Sequence, residues 1–312
     1  MTFALSRMCH GEPQPPLEQL LPIIYFGVSL ALDKTCSYDA TRYALHCLAD
    51  IAGGGIEGAQ AVSEIGAYAL TQRLVHILSQ LNCNQLLYPA LRTLRTICDH
   101  GHAFDHVQAV VKAGILDFAQ NFLEPGASKA SKLEMCKLLS KIAAGRKTVS
   151  QLVDNSPVLS TLVYMAMEGT CEWLVRKEAI QVVCNIAHAP EDEVVEILVS
   201  HDGIEALVEA LRVRIDDSVL LEALNAVEQL FKVGERAGAP YGLMIDQWGG
   251  IDKLEALQNH GNDDIAGKAE DIVEQYLCED EEEEDNKTCC VYSPECYKYD
   301  QLYFAEDCQE MK

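Results

Sequence analysis

One phrase recurs along this chain and decides what it can fold into. AVSEIGAYAL around Gly66, AVVKAGILDF around Gly114, ILVSHDGIEALVEAL around Gly203 and IDQWGGIDKLEAL around Gly250 share one design. Each closes a helical pattern, turns at a glycine and opens an amphipathic helix. A weaker copy, QLVDNSPVLSTLV, turns near Ser156, so the steps from 66 to 114, 156, 203 and 250 are 48, 42, 47 and 47 residues. Between the turns, LVHILSQL (74–81), LEMCKLLSKIAAG (133–145) and VLLEALNAVEQLFKVG (219–234) place apolar residues at i, i+3, i+4 and i+7. That is the helical period, and β-branched alternation never persists. Units this small bury their apolar faces only by stacking on copies of themselves. The chain therefore reads as one all-α array rather than the two domains that 312 residues would suggest.

A step of this size fits helical armadillo or HEAT repeats. Composition narrows the function. Hydrophobic residues at 49% exclude a largely disordered chain, and 24 Lys+Arg against 48 Asp+Glu leave a net charge of −24. Such a surface repels phosphate and attracts basic partners, so nucleic acid is not an expected ligand. The apolar stretch 20–32 is short and interrupted by Pro22 and Gly27, so no membrane span is expected. Thirteen cysteines without framework spacing, and no secretory signal, read as reduced thiols in the cytoplasm or nucleus. Residues 279–285 are seven consecutive acids, and the segment 279–312 carries 12 acids and 3 bases. A like-charge run of this kind is expected to stay solvated and disordered.

Several longer phrases carry a family resemblance. GGIDKLEALQNHGNDD (249–264) with AEDIVEQYL and the acid run resembles the last repeat and tail of importin-α (karyopherin-α). YPALRTLRTICDHG (88–101), RKEAIQVVCNIA (176–187) and LNAVEQLFKVGERAG (224–238) are similar to inner repeats of that family. FALSRMCHGEPQPPLEQLLPII (3–24) resembles its Trp-x-x-x-Asn helix end and the linker that follows. The resemblance runs from Phe3 to about Asp285, from the end of the family's fourth repeat to its tenth. It implies a right-handed superhelical armadillo solenoid over 1–278, the first repeat incomplete, with the disordered acidic tail over 279–312. It also implies a groove for nuclear localisation signals, a role in nuclear import, and residence in both cytoplasm and nucleus.

In the family, the third helix of each repeat offers a Trp and, four residues on, an Asn. Residues i and i+4 share a helical face, so these pairs form a ladder. Trp faces hold the stems of Lys and Arg, Asn amides hold the peptide backbone, and acids neutralise the charge. Carried onto this chain, the ladder is eroded. Its pairs are Phe3 and Arg7, Tyr43 and Cys47, Arg92 and Thr96, Lys137 and Lys141, then Gln181 and Asn185, with Gln229 at the sixth Asn position. Glu134 and Glu178 match the carboxylates of the family's minor pocket. The implied peptide-binding residues are Tyr43, Arg92, Glu134, Glu178 and Asn185. Expected partners are proteins carrying Lys/Arg-rich signals and, through the little-altered last repeat, the export receptor CAS. Importin-β is not expected, because its basic binding segment has no counterpart here.

Plainer readings stand beside these. Glu134 and Glu178 also suit solvated helix surface, Asn185 a cap, Arg92 a brace between repeats, and Tyr43 or Phe3 simple packing. Lys137 and Lys141, three and seven residues beyond Glu134, would repel a basic signal and compete for that carboxylate. With Arg7 they suit an acidic peptide, which is the alternative reading: an armadillo scaffold whose groove is reassigned. A third reading is a competitor that binds cargo or export receptor without importin-β. Gly53-Gly54-Gly55-Ile56-Glu57-Gly58 matches a dinucleotide fingerprint only in letters, since strands are missing around it. His100, His102 and His106 show no metal-ligand spacing. No nucleophile, base and orienting partner come together, so neither an enzyme nor a cofactor is expected.

Overall fold

The computed structural model describes residues 14–80, 84–100, 106–167 and 169–277, together with Ala4 and Cys9. The expected tail over 279–312, and the ladder positions Phe3 and Arg7, lie outside the described residues. Sixteen α-helices and one 3-10 turn make up the described fold, and no described residue is in a strand. The long helices are α2 (Tyr38–Gly53), α4 (Asn84–His100), α7 (Lys129–Ala144), α10 (Trp173–Ala187), α13 (Asp217–Ala237) and α16 (Asp263–Tyr276). Their first residues are 44 to 46 positions apart, so each is the third helix of one repeat. The helices before each are α1 (Leu17–Leu32), α3 (Ile56–Ser79), α5 (His106–Lys112), α6 (Gln120–Leu123), α8 (Val149–Val153), α9 (Ser156–Ala166), α11 (Asp192–Ser200), α12 (Gly203–Ala210), α14 (Tyr241–Gln247) and α15 (Gly250–Leu257).

Four of the third helices, α2, α7, α13 and α16, start where a side chain satisfies backbone N–H groups left free at a helix N-terminus. Ser37 accepts from Ala40 N–H, Ser128 from Ser131, Asp216 from Val219 and Asn262 from Asp264. Three of the corners marked by the recurring phrase use left-handed backbone, whereas Asn155, at the weaker copy, keeps φ −88°. At two of the three the left-handed residue is not the glycine that the recurring phrase singled out. Asp202 takes φ 64° and Gly249 takes φ 69°, each one residue earlier. Gly203 and Gly250 serve close approach instead. A Cβ on Gly203 would meet the Leu198 carbonyl oxygen at 2.7 Å, and one on Gly250 the Ile245 carbonyl oxygen at 2.8 Å. At Gly114, with φ 91°, the chain enters a 3-10 turn over Ile115–Asp117 rather than an amphipathic helix.

The expected turn at Gly66 does not occur. Residues 56–79 form one unbroken helix, and Gly66 has ordinary helical backbone. Its neighbours carry neither a left-handed corner nor a proline, and the helix-forming run ALTQRLVHILS continues through the position. First and second helices of that repeat are fused.

The chain divides into two compact units on either side of the Ala189–Pro190 bond. In the first, α2, α4, α7 and α10 pack side by side in that order, with the intervening helices behind them. Leu45, Leu48, Leu91, Leu94, Leu138, Leu139 and Ile180 are almost fully removed from solvent there. In the second, α13 packs on α16, and Phe231 stacks on Tyr276 with ring centroids 5.0 Å apart. No described helix is long and apolar enough to cross a membrane.

Phe231 is among the largest fully buried side chains. We expect Phe231→Ala to destabilise the fold by about 3–5 kcal/mol in chemical denaturation, from lost burial plus an unfilled cavity.

Candidate peptide-binding groove

The four third helices of the first unit are tied together by polar side chains as well as by apolar burial. From α4 to α2, Arg92 Nη1 lies 2.7 Å from Asp50 Oδ1, and the Thr93 hydroxyl donates to the Leu45 carbonyl at 3.1 Å. From α4 to α7, Arg95 Nε donates to Glu134 Oε2 at 2.6 Å. Arg95 also pairs with Asp99 on its own helix, and Asp99 takes Lys141 Nζ from α7 at 3.2 Å. From α10 to α7, Asn185 Nδ2 donates to the Ser140 carbonyl and hydroxyl oxygens, each at 3.1 Å.

An open cleft of about 480 Å³ lies across the last three of these helices. Arg95, Asp99, Lys137, Ser140, Lys141, Glu178, Gln181 and Asn185 provide its polar lining. The structure therefore brings Glu178 and Asn185 into one site. Glu134 belongs to its foundation: only 7% exposed, it is held by Arg95 rather than by Lys137 or Lys141. Neither lysine takes Glu134 as the sequence spacing suggested; Lys141 reaches the neighbouring helix and pairs with Asp99 instead. Arg92 and Tyr43 do not line this cleft. Tyr43, half-buried on α2, has the Arg42 guanidinium 4.8 Å from its ring centroid, and Arg42 Nη2 donates to its hydroxyl at 3.1 Å.

The Asn positions differ among themselves. Cys47 and Thr96 are buried, and the Thr96 hydroxyl donates back to the Arg92 and Thr93 carbonyls, so neither offers an amide to a ligand. Asn185 keeps its carbonyl oxygen toward Gln181, whose Nε2 lies 3.4 Å away. Arg95 and Asp99 were missed in the sequence. Their signal was the i, i+4 opposite-charge pair within RTICD, which organises a helix face but names no target.

Glu178 stands apart electrostatically. Among the described residues it makes no ion pair. Burial raises its pKa above the ordinary glutamate range, and the more distant charges of Lys137, Lys177, Lys141 and Arg95 offset that only in part. It is a half-buried carboxylate whose ionised form lacks a direct partner.

Comparison with known proteins agrees with this architecture. Residues 239–288 match a family model described as an atypical Arm repeat. Importin subunit alpha-1a of Oryza sativa subsp. japonica is 32% identical over 310 residues, covering 96% of this chain and 56% of that protein. Importin subunit alpha-4 of Arabidopsis thaliana is 30% identical over 298 residues, covering 91% of this chain and 52% of that protein. A designed armadillo repeat protein superposes with a TM-score of 0.67 at 22% identity, over 80% of this chain and 98% of its own. The chain is a divergent importin-α-like armadillo protein. It spans a little over half the length of these two curated relatives. The cleft above lies across the third helices of three successive repeats, and its lining carries both signs of charge.

Two outcomes follow from the charge pattern. Arg95→Ala leaves Glu134 buried without its cation, and we expect a loss of roughly 2–4 kcal/mol in denaturant titrations, with Arg95→Lys recovering part of it. Glu178 has the opposite sign. With its pKa raised on folding, its ionisation opposes the fold, so that contribution to stability is lost as pH rises through the shifted value. Glu178→Gln should raise the melting temperature at neutral pH and leave it unchanged in acid, where Glu178 is already protonated.

Proposed function

We propose that the chain is a non-enzymatic import adaptor that holds a Lys/Arg-rich nuclear localisation signal in the cleft across α4, α7 and α10. The unpaired carboxylate of Glu178 carries this reading. A signal lysine or arginine placed against it supplies the missing counter-charge, and the interaction is strengthened because burial has already removed part of the water. Asn185, one helical turn beyond Gln181 in the same cleft, is the Asn that the ladder keeps; its Nδ2 already donates to Ser140, and its carbonyl oxygen is the group suited to accept from the backbone of an extended peptide. The overall charge of −24 steers basic segments toward the surface. Among the armadillo structures that this fold resembles is a designed repeat protein in complex with a (KR)4 peptide, at 23% identity. Shuttling between cytoplasm and nucleus, cargo with basic signals, and export through CAS at the last repeat all belong to this proposal.

One observation favours the second reading, a scaffold with a reassigned groove. The other acceptors that a basic peptide would use already hold cations of the chain itself: Arg42 on Tyr43, Arg92 on Asp50, Arg95 on Glu134 and Lys141 on Asp99.

Titration of the purified chain with a fluorescent Lys/Arg-rich signal peptide separates the two. For the adaptor, Glu178→Ala weakens binding about tenfold, corresponding to roughly 1.4 kcal/mol, and Lys137→Ala with Lys141→Ala strengthens it. Binding that ignores both changes, or the absence of binding at physiological salt, sinks the adaptor and leaves the scaffold.

A further inference from the structure

A second cleft, of about 360 Å³, lies in the second unit, between the segment that follows α12 and the face of α15. Its lining includes Arg212, Arg214, Lys253 and His260, and no carboxylate. That lining stands out against its surroundings. Residues 190–277 hold six Lys and Arg against twenty Asp and Glu. Three of the six are committed elsewhere: Lys232 and Lys268 to Glu228, and Arg236 to Asp192 at 2.5 Å. The other three meet in this cleft.

Their charges are poorly compensated. Arg214 is exposed, and among the described residues it has no carboxylate or hydrogen-bond partner. Arg212 reaches Glu209 at 3.2 Å, an exposed i, i+3 pair of the kind that holds weakly in water. Lys253 donates to the neutral Trp248 carbonyl at 2.9 Å, and partial burial, followed by the nearby Arg212, pushes its pKa down against the opposing charges of Glu209 and Asp252. His260 accepts the Asn262 N–H on Nδ1 at 3.1 Å, leaving Nε2 as its second nitrogen. Buried Leu211, Val213 and Leu220 supply an apolar floor, and Ile215, 70% exposed, follows directly after Arg214.

We propose that this cleft docks an Asp/Glu-rich segment of a partner protein, its carboxylates meeting Arg212, Arg214 and Lys253 while an apolar side chain rests on Val213. Charge complementarity selects this occupant. A long polyanion such as nucleic acid would extend over the surrounding acids and be repelled. A short acidic segment is governed by charges within a Debye length of about 8 Å at physiological salt, and there the cations line the cleft itself while Glu209 and Asp252 stand beside Lys253 outside the lining. The site is independent of the third-helix cleft and of whether that cleft takes a basic signal.

The test is fluorescence anisotropy of the full chain with a short labelled Asp/Glu-rich peptide carrying one leucine, beside its Asn/Gln counterpart. We expect binding of the acidic peptide alone, weakened at least about tenfold by Arg212→Glu with Arg214→Glu and more mildly by Arg214→Gln. Both positions are exposed, so circular dichroism and melting should match the parent chain. Lys137→Ala with Lys141→Ala should leave this binding unchanged. The proposal is overturned if charge reversal has no effect, or if the two α7 lysines abolish binding and so place the peptide in the other cleft. It is equally overturned if binding appears only after residues 279–312 are deleted, which would make the chain's own acid run the occupant.

Discussion

The lateral packing of third helices is the constraint on which the first unit depends. A helix of about 16 residues buries one stripe against the helices behind it, yet its flanks must also meet the same element of the neighbouring repeats. Those flanks carry charged and polar side chains at the positions where a ligand would lie. Each must therefore find a partner across the seam or remain solvated. Arg92, Arg95, Thr93, Lys141 and Asn185 all find one, on a carboxylate, a carbonyl or a hydroxyl of the adjacent helix. The seam is held by the groups that an open groove would present to a peptide.

This has a direct energetic consequence for recognition. A basic peptide approaching Glu134 must displace Arg95, which is itself shared with Asp99, and Asp99 in turn holds Lys141. Removing one member exposes the desolvation cost of the others, so the network resists exchange as a unit rather than pair by pair. Glu178 is outside that network. In the proposed adaptor it is a position where an incoming cation gains an interaction without breaking one. On the proposed adaptor reading, such a groove would reward a single well-placed cation and give little to a long run of them.

Much of the architecture was legible in the sequence because the repeat step and the helical period act over many residues at once. Four of the third helices also announce their starts, through Ser37, Ser128, Asp216 and Asn262. Single corners were less legible. A glycine can mean a left-handed turn or room for a passing carbonyl, and the letters do not distinguish Gly114 from Gly203 or Gly250. At Gly66 the glycine marks neither a left-handed corner nor a helix end, and α3 runs straight through it. The site was legible as a set of candidate positions and illegible as chemistry. Glu134 and Glu178 look alike along the chain, but Arg95 stands 39 residues before Glu134 and reaches it across a seam, while Glu178 has no such neighbour.

The two clefts show how an acidic chain distributes its few cations. In the first unit, cations are drawn onto carboxylates at helix seams, where they stabilise packing and blunt the field that a basic ligand would feel. In the second unit, Glu228 takes both Lys232 and Lys268; burial works against its ionisation, but those two hydrogen bonds prevail and hold its pKa below the ordinary range. That arrangement places two cations on one carboxylate, while Arg212, Arg214 and Lys253 lie together with no carboxylate in their cleft. Net charge sets which partners approach the molecule as a whole. The local pairing of each cation sets where on that surface an approaching charge still finds one unanswered.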